Sequence, residues 1–246
     1  LVWLHLLVVG FPEMGHDALA MHLAIPHVIA AEGRWSFDVT RFIWAVMPMN
    51  ADWLYTAAWF LGGEAAARLF NVVTLLLTAA IIYVWSRERL GTAAASFAAL
   101  LWLSLPLSFL ESASAFIELP LTFVCAAMLV VATDAFRHGR LGHWLLAAAL
   151  FGSAVATKLP ALLLAPGLLL VGAAQYVALR RDSTGPWWRQ RSARDLLLGL
   201  ALAAAVATLF AAPPYLNAWL RTGNPVFPFF NALFRSPYFE TAASFT

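Results

Sequence analysis

Charged side chains are scarce in this sequence. Asp, Glu, Lys and Arg make up 11% of the 246 residues, whereas an average soluble domain contains about 25%. So little charge excludes an intrinsically disordered chain, and a formal net charge of +2 is too small for a nucleic-acid-binding domain. Apolar residues make up 62% of the chain and the mean hydropathy is +0.78. This composition predicts a polytopic protein of the lipid bilayer.

Cysteine and lysine each occur only once. A single cysteine, Cys125, excludes an intrachain disulfide and gives no information on the redox compartment. The single lysine, Lys158, stands in a chain whose other strong bases are all arginines.

The apolar runs predict an all-α bundle of about seven transmembrane spans, forming a single transmembrane domain over 1–246. The run 1–10 is too short to cross about 30 Å of hydrocarbon, which takes about 20 helical residues. We therefore expect it to be the outer half of a first span, and we expect the whole sequence to be a fragment of a longer protein. Six further spans are predicted at about 64–86, 92–110, 117–136, 141–157, 159–179 and 195–212.

The distribution of charge orients these spans. If 64–86 runs inward, nine of the 15 basic residues lie on the inner side and six on the outer side, as expected when cytoplasmic loops are basic. Nine of the 13 acidic residues then lie outside. This orientation places the loop 182–194 in the cytoplasm and makes the segments 11–63 and 213–246 outer loops.

The first outer loop contains two predicted interfacial helices. Residues 17–32 are expected to form a helix that is kinked at Pro26 and stopped by Gly33. Residues 51–61 are amphipathic and aromatic, and the glycine pair 62–63 closes them. Helices of this composition lie in the plane of the membrane interface.

Ionisable groups at a membrane are costly, so each is a candidate for function. Asp17 precedes the first interfacial helix. It would either cap that helix by accepting a backbone N–H bond or act as a general base or cation ligand at the membrane surface. His16 and His22 flank it, and a divalent cation held by His16 and Asp17 is a further candidate role, although lone histidines are more often ordinary interfacial residues.

Two more acids lie between adjacent predicted spans. Glu111 and Glu118 are seven residues apart, about two helical turns, so they would share a face if the connection were helical. The structural alternative is that Glu118 stabilises a helix N-terminus, with Pro120 in the first turn, and that Glu111 is a solvated loop residue.

Three other charged groups are predicted on the outer side. Arg68 follows Glu64 by four residues, the spacing of a structural ion pair on a helix. Asp52 lies on the second interfacial helix and would equally suit a solvated face. Lys158 lies at the outer end of a span, against the charge trend, where it either snorkels to the interface or binds a phosphate opposite the acids.

Several short motifs together resemble one family. Three segments resemble the N-terminal half of the polytopic glycosyltransferases of the GT-C superfamily: DALAMHLAIP, MPMNADWLY and AARLFNVVTLLLTAAIIYVWSRERLG. The nearest groups are the family 39-like and the bacterial RgtA/B/C/D-like members. Their second acidic loop and the segment after it are similar to ESASAFIELPLTF and GSAVATKLPALLLAPGLLL. A later outer loop is similar to TGNPVFPFFNALFRSPYF. The resemblance covers most of the chain.

The resemblance implies a GT-C fold and an inverting single displacement. The donor would be a sugar on a polyprenyl phosphate, and the acceptor a glycan, a lipid or a protein at the outer face of a bacterial inner membrane. The essential acid of the first outer loop corresponds to Asp17, and a second acid to Glu118 or Glu111. The expected substrate-binding side chains are His22, Lys158, Asp52 and Arg68.

Two other functional classes stay open on the sequence alone. A secondary transporter or permease also has intramembrane charge and Gly or Pro breaks, but its binding sites lie near the membrane midplane, whereas the acids here are predicted at one surface. A non-catalytic lipid-binding or scaffold subunit with a degenerate site is the third class.

Overall fold

The structure is a computed structural model that describes residues 1–35, 37–180 and 193–239. All regular elements within these residues are helical, which confirms the predicted all-α class. The α-helices are α1 (Val2–Val9), α2 (Ala24–Glu32), α3 (Asn50–Leu90), α4 (Thr92–Ser104), α5 (Pro106–Ala113), α6 (Glu118–His138), α7 (Leu141–Thr157), α8 (Leu164–Arg180), α9 (Ala193–Thr222) and α10 (Asn231–Phe234). A π-helical turn covers Ala18–His22, and 3₁₀ turns cover Ile43–Val46 and Leu159–Leu163.

The chain divides into two compact units. Residues 1–123 with 214–246 form the first unit, and residues 124–213 form the second. Within the second unit, α7 passes close to α9 at Gly152, where an added Cβ would collide with the carbonyl oxygen of Ala207. A residue with a side chain at this position would push the two helices apart.

Three helices within the described residues are long and apolar enough to cross a membrane. They are α3, α6 and the part of α9 from 197 to 222. The bent pair α4 and α5 makes a fourth if the two form one span. Helix α7 has the predicted bounds but only 17 residues, fewer than the roughly 20 of a typical span. The total of seven spans therefore stays a prediction.

Helix α3 contains the predicted boundary between an interfacial helix and a span. Gly62 and Gly63 interrupt it with non-helical backbone angles. Gly63 has φ 65° and ψ −151°, a conformation that is essentially restricted to glycine. The glycine pair thus separates residues 50–61 from the apolar remainder of α3, as predicted.

The predicted helix 17–32 is instead two elements. The π-turn Ala18–His22 is followed by an interruption at Leu23 and then by α2. The interruption lies three residues before Pro26, and this proline belongs to the first turn of α2, where a backbone N–H has no intrahelical partner to lose. The predicted kink at Pro26 stays a prediction. Gly33 ends α2 in the left-handed conformation at φ 64°, as predicted.

Pro106 divides the next predicted span into α4 and α5, which are bent by 54°. Leu105 is extended, as is usual for the residue before a proline. The break leaves the carbonyl of Leu103 available to the buried His5, whose Nε2 lies 3.1 Å from it. His5 Nδ1 also lies 2.5 Å from Ser112 Oγ. His5 therefore joins α1 to both halves of the broken helix.

The predicted orientation is testable with two single-cysteine variants in a Cys125→Ala background. Met14 is 88% exposed in the predicted first outer loop, and His138 is exposed at the predicted inner end of α6. Most of the predicted cytoplasmic loop 182–194 lies outside the described residues. We expect an impermeant thiol reagent to label Met14→Cys in sealed right-side-out vesicles, and His138→Cys only after the vesicles are opened. Labelling of both variants from one side contradicts the topology.

Candidate active site

A buried apolar cluster supports the candidate site in the first unit. Its members come from the π-turn, from α3 and from the connection between α5 and α6. They are Ala18, Leu23, Ala51, Tyr55, Ala67, Ala115 and Ile117. Five predicted site residues are direct chain neighbours of cluster members, namely Asp17, His22, Asp52, Arg68 and Glu118. Because packed interiors hold their side chains in fixed positions, the cluster fixes the backbone on which these five groups stand.

Asp17 stands at the start of the π-turn without capping it. Its backbone angles are helical, φ −67° and ψ −37°, and its side chain makes no capping hydrogen bond. The side chain is 66% exposed, and its Oδ1 lies 3.3 Å from Nδ1 of His16, which is 92% exposed. The sequence left two roles open for Asp17, and the structure shows that it does not act as an N-cap. Its carboxylate is accessible to a ligand.

A π-turn leads from Asp17 to His22. A π-turn pairs residues five apart, and the bond from Leu23 N–H to the Ala18 carbonyl, 2.8 Å long, has this spacing. In an α-helix the residues that lie over one another are three or four apart. Asp17 directly precedes the turn and His22 is its last residue, so the geometry of a π-turn, rather than that of an α-helix, relates the two positions.

His22 and Asp52 form a buried pair. The distance from His22 Nδ1 to Asp52 Oδ1 is 2.6 Å, and the two side chains are 7% and 5% exposed. Burial lowers the pKa of His22, but the charge of Asp52 and the hydrogen bond to it raise that pKa. Glu118 and Asp17 raise it further by their charges, so the pKa of His22 lies above its ordinary value. The structure thus brings His22 within electrostatic reach of three carboxylates.

Glu111 and Glu118 lie on either side of the connection between α5 and α6. Glu118 is the first residue of α6, as the structural alternative predicted, and its charge also acts on His22. The connection is not helical, because α5 ends at Ala113 and Ser114 is extended. The two acids therefore do not share a helical face, and Glu111 belongs to α5.

Arg68 is buried between the end of α1 and the end of α5. Its guanidinium donates hydrogen bonds to the carbonyl oxygens of Val8, Val9, Phe11 and Ala113. Its Nη1 lies 3.6 Å from Glu64 Oε1, which confirms the predicted structural ion pair. Since backbone carbonyls and carboxylates surround this guanidinium, its position favours a structural role, and phosphate binding by Arg68 stays a prediction.

Glu13 is an important residue that the sequence pattern did not single out. Its side chain is 1% exposed, and its Oε2 lies 3.5 Å from Arg68 Nε. Its oxygens also accept hydrogen bonds of 2.7 to 2.9 Å from the backbone N–H groups of Met14, Gly15 and Ala115 and from the hydroxyl of Ser114. The Glu13 carboxylate thus ties the loop before Asp17 to the connection before Glu118.

Asn71 and Tyr55 fix the same connection from α3. The Asn71 amide donates hydrogen bonds to the carbonyl oxygens of Glu111, Ser114 and Phe116. The Tyr55 hydroxyl lies 2.6 Å both from Asn71 Oδ1 and from the Phe116 carbonyl oxygen. Both side chains are fully buried. A buried polar network with all its members bonded is rigid, so it holds the start of α6 against α3.

The remaining predicted groups are Lys158 and the metal ligands. Lys158 belongs to the second unit, where it ends α7 in an extended conformation. Its role toward the acids of the first unit stays a prediction. His16 and Asp17 present two ligand atoms, and the described residues contain no group of three or more His, Cys, Asp or Glu that could hold a metal ion. A cation at His16 and Asp17 would therefore take further ligands from substrate or water.

Residues 46–211 match the model of the family described as dolichyl-phosphate-mannose-protein mannosyltransferase. The matched region is 166 of the 246 residues long. The chain belongs to this family. The region that matches this mannosyltransferase family includes Asp52, Glu111, Glu118 and Lys158. Asp17 and His22 precede it.

Two crystal structures of ArnT from Cupriavidus metallidurans share the fold of this mannosyltransferase family member. The structure bound to undecaprenyl phosphate aligns with a TM-score of 0.66 at 21% identity, and the apo structure with 0.68 at 23%. Each alignment covers 95% of this chain and 42% of the ArnT chain, so the chain spans less than half the length of ArnT. The predicted membership of the GT-C superfamily and its fold are thereby confirmed. None of the curated proteins matches the chain.

Proposed function

We propose that the full-length protein is a membrane glycosyltransferase that moves a sugar from a polyprenyl-phosphate donor to a glycan, lipid or protein acceptor at the outer face of a bacterial inner membrane. The observation that carries the proposal is the carboxylate of Asp17, which is exposed and makes no capping hydrogen bond, in the same unit as the buried His22–Asp52 pair. Membership of the mannosyltransferase family supports the sugar-transfer chemistry.

Asp17 serves as the general base in this proposal. Its carboxylate takes the proton of the acceptor hydroxyl while the acceptor oxygen bonds to the anomeric carbon. The bond from that carbon to the donor phosphate oxygen breaks in the same step, so polyprenyl phosphate leaves and the anomeric centre is inverted. Glu118 is the second acid, because it acts on the same buried histidine, and Glu111 is the alternative to it.

A lipid donor requires an apolar approach to these acids. The segment of α3 before the glycine pair exposes large apolar side chains: Trp53 is 50%, Phe60 63% and Leu61 87% exposed. Aromatic and aliphatic side chains of this kind lie in the membrane interface. ArnT, which shares the fold, has been crystallised with undecaprenyl phosphate, and this supports a polyprenyl phosphate as the lipid part of the donor.

The leaving phosphate needs a cation. Lys158 is our first candidate, and a divalent cation at His16 and Asp17 is the second. The sequence made His22 and Asp52 candidates for substrate binding. Because both side chains are buried, we infer that they act on the substrate through neighbouring residues rather than by touching it.

Lys158→Met is expected to weaken binding of the polyprenyl-phosphate donor roughly tenfold, because a hydrogen bond to a charged group contributes about 1.5 kcal/mol or more. Lys158→Arg should restore binding only in part, since a planar fork replaces a point charge. Donor affinity is measured by equilibrium binding of a labelled lipid to purified full-length protein. Arg34→Met, which removes a side chain 70% exposed in the outer loop, is the matched control. Normal donor binding by Lys158→Met would mean that the lysine merely snorkels.

A transporter is the main alternative. Transporter sites lie near the membrane midplane, whereas Asp17 and His22 lie outside the candidate spans. This arrangement favours a reaction at the surface.

The test of the proposal is to incubate full-length protein with a radiolabelled polyprenyl-phosphate sugar and an envelope extract that contains acceptors. We expect donor binding and transfer of label to the extract. Uptake of the sugar into vesicles without transfer would support a transporter. Donor binding without transfer or uptake would support a lipid-binding subunit.

A further inference from the structure

Glu13 is a buried acid that the proposed chemistry leaves without a role. Its side chain is 1% exposed, a costly place for a carboxylate unless hydrogen-bond donors surround it. Its Oε1 accepts bonds from the backbone N–H groups of Met14 and Gly15 and from the Ser114 hydroxyl. Its Oε2 accepts a bond from the backbone N–H of Ala115. The carboxylate thus orders the two residues that follow it and docks them on the connection between α5 and α6.

The turn that carries Asp17 begins at one of the residues that Glu13 holds. The Gly15 N–H donates to Glu13 Oε1 at 2.7 Å, and the Gly15 carbonyl oxygen accepts the N–H of Leu19 at 2.9 Å. Asp17 lies between Gly15 and Leu19, so its backbone belongs to the turn that the second bond closes. Because the Asp17 side chain is 66% exposed and does not cap the turn, this backbone chiefly sets where its carboxylate stands.

Gly15 has no room for a side chain. A Cβ placed on it would lie 3.0 Å from Cζ of Phe116 and 3.1 Å from both Glu13 Oε1 and Ser114 Oγ, whereas carbon atoms in contact prefer about 3.5–4.0 Å. The two oxygens are hydrogen-bonded to each other at 2.9 Å, so neither can give way without loosening the buried network. A methyl group at position 15 would therefore push the loop away from the connection by a fraction of an ångström.

We propose that Glu13 and Gly15 are positioning residues for the general base. The buried carboxylate of Glu13 fixes the loop, and the absence of a side chain at Gly15 lets the loop approach the connection closely enough to set the place of Asp17. Neither residue touches the substrate or exchanges a proton with it. Because a misplacement of about 1 Å can cost about 100-fold in rate, an exposed base on a loop needs such an anchor. This inference rests on the proposed function, in which Asp17 takes the acceptor proton.

Gly15→Ala in full-length protein tests the inference. With the radiolabelled polyprenyl-phosphate sugar that the wild type transfers, we expect kcat to fall about tenfold, because the methyl moves Asp17 by less than the 1 Å that costs about 100-fold. Donor affinity, measured by equilibrium binding of labelled undecaprenyl phosphate, should stay unchanged. Loss of folded protein or of donor affinity, with an unchanged kcat per folded molecule, would mean that the role is merely structural and overturns the inference.

Gly142→Ala is the matched control. Gly142 is the second residue of α7, and the space around an added Cβ is open there, so the same substitution adds a methyl group without a collision. We expect its kcat and donor affinity to equal those of the wild type. An equal loss of kcat in Gly15→Ala and Gly142→Ala overturns the inference.

A double variant shows whether the effect passes through Asp17. If Gly15 acts by positioning the Asp17 carboxylate, an alanine at position 15 should change little once that carboxylate is absent. The residual rate of the double variant Gly15→Ala, Asp17→Asn should then equal that of Asp17→Asn. Independent sites instead give free-energy changes that add. A double variant that is slower than Asp17→Asn by the full factor of the Gly15→Ala single variant overturns the inference.

Hydrogen exchange of the backbone amides of residues 13–19 gives a readout that does not need activity. The N–H groups of Gly15 and Leu19 are bonded, so we expect them to be protected in the wild type. Glu13→Gln keeps the size of the side chain but replaces an acceptor oxygen by an NH₂ group. It should speed exchange over 13–19 and leave exchange in α9 unchanged; if this variant does not accumulate, Gly15→Ala is measured instead.

Exchange over 13–19 that is as slow in the variant as in the wild type overturns the inference. The two proposals fail in different ways. If the wild type transfers no sugar from any donor, the proposed function fails, whereas the exchange measurement still decides whether Glu13 fixes the loop that leads to Asp17.

Discussion

Asp17→Asn is expected to fold and insert normally while its sugar transfer falls roughly 100-fold or more, the contribution typical of a general base. Asparagine keeps the shape of the side chain but cannot accept the acceptor proton. Because Asp17 makes no capping hydrogen bond and is 66% exposed, we expect the free energy of unfolding to change by no more than about 0.5 kcal/mol. Transfer rate and thermal stability are measured side by side in full-length protein.

The matched control for Asp17→Asn is Glu32→Gln. Glu32 is an exposed acid at the end of α2 that pairs with the exposed Arg34, so its neutralisation should leave the transfer rate within about twofold, an effect far below that of losing a general base. A stable Asp17→Asn variant with near-normal transfer would remove Asp17 from the mechanism. An unstable variant would mean that its carboxylate has a structural role that its exposure does not indicate.

Arg68→Met should produce the largest loss of stability. The substitution leaves the Glu13 carboxylate, 1% exposed, without its buried cation. It also leaves the carbonyl oxygens at the ends of α1 and α5 without their donors. Removing one partner of a buried ion pair costs about 3–5 kcal/mol, a large fraction of the roughly 5–15 kcal/mol that stabilises an ordinary protein. Yield in the membrane fraction and the unfolding midpoint in detergent measure the effect.

Two comparisons separate this effect from the mere loss of a surface arginine. Arg34→Met removes an exposed arginine whose ion pair with Glu32 is worth about 1 kcal/mol or less. The double variant Arg68→Met, Glu13→Gln should be less destabilised than the sum of its single variants, because the orphaned charge is then absent. If Arg68→Met is as stable as Arg34→Met, the buried ion pair between Arg68 and Glu13 and the hydrogen bonds of Arg68 do not stabilise the fold.

The parts of the fold that the sequence predicted correctly depend on local features. The bounds of α7 follow from one uninterrupted apolar run, and the stop at Gly33 and the break at Gly63 follow from backbone angles that favour glycine. The sequence placed the irregularity of the first interfacial helix at Pro26, whereas the structure interrupts the helix at Leu23 and has the proline in the first turn of α2, a position that tolerates proline. The π-turn was missed because its five-residue spacing differs from the periodicity of an α-helix.

The candidate site was predictable only in its residue types. Acids that stand out in an apolar chain pointed to Asp17 and Glu118. The contact between His22 and Asp52, 30 residues apart, and that between Glu13 and Ser114, 101 residues apart, leave no pattern in the sequence. Such contacts arise from the packing of distant segments, so only a structure reveals them.

The bonds made by Glu13 and Arg68 have a consequence for how the site can move. Both residues hold the segment that leads to Asp17 and, at the same time, the segment that leads to Glu118. We therefore expect the two segments to move together, because a substrate that displaces one loop must displace the other or break hydrogen bonds to a buried charge. Induced fit at this site would be a concerted shift of both loops along α3.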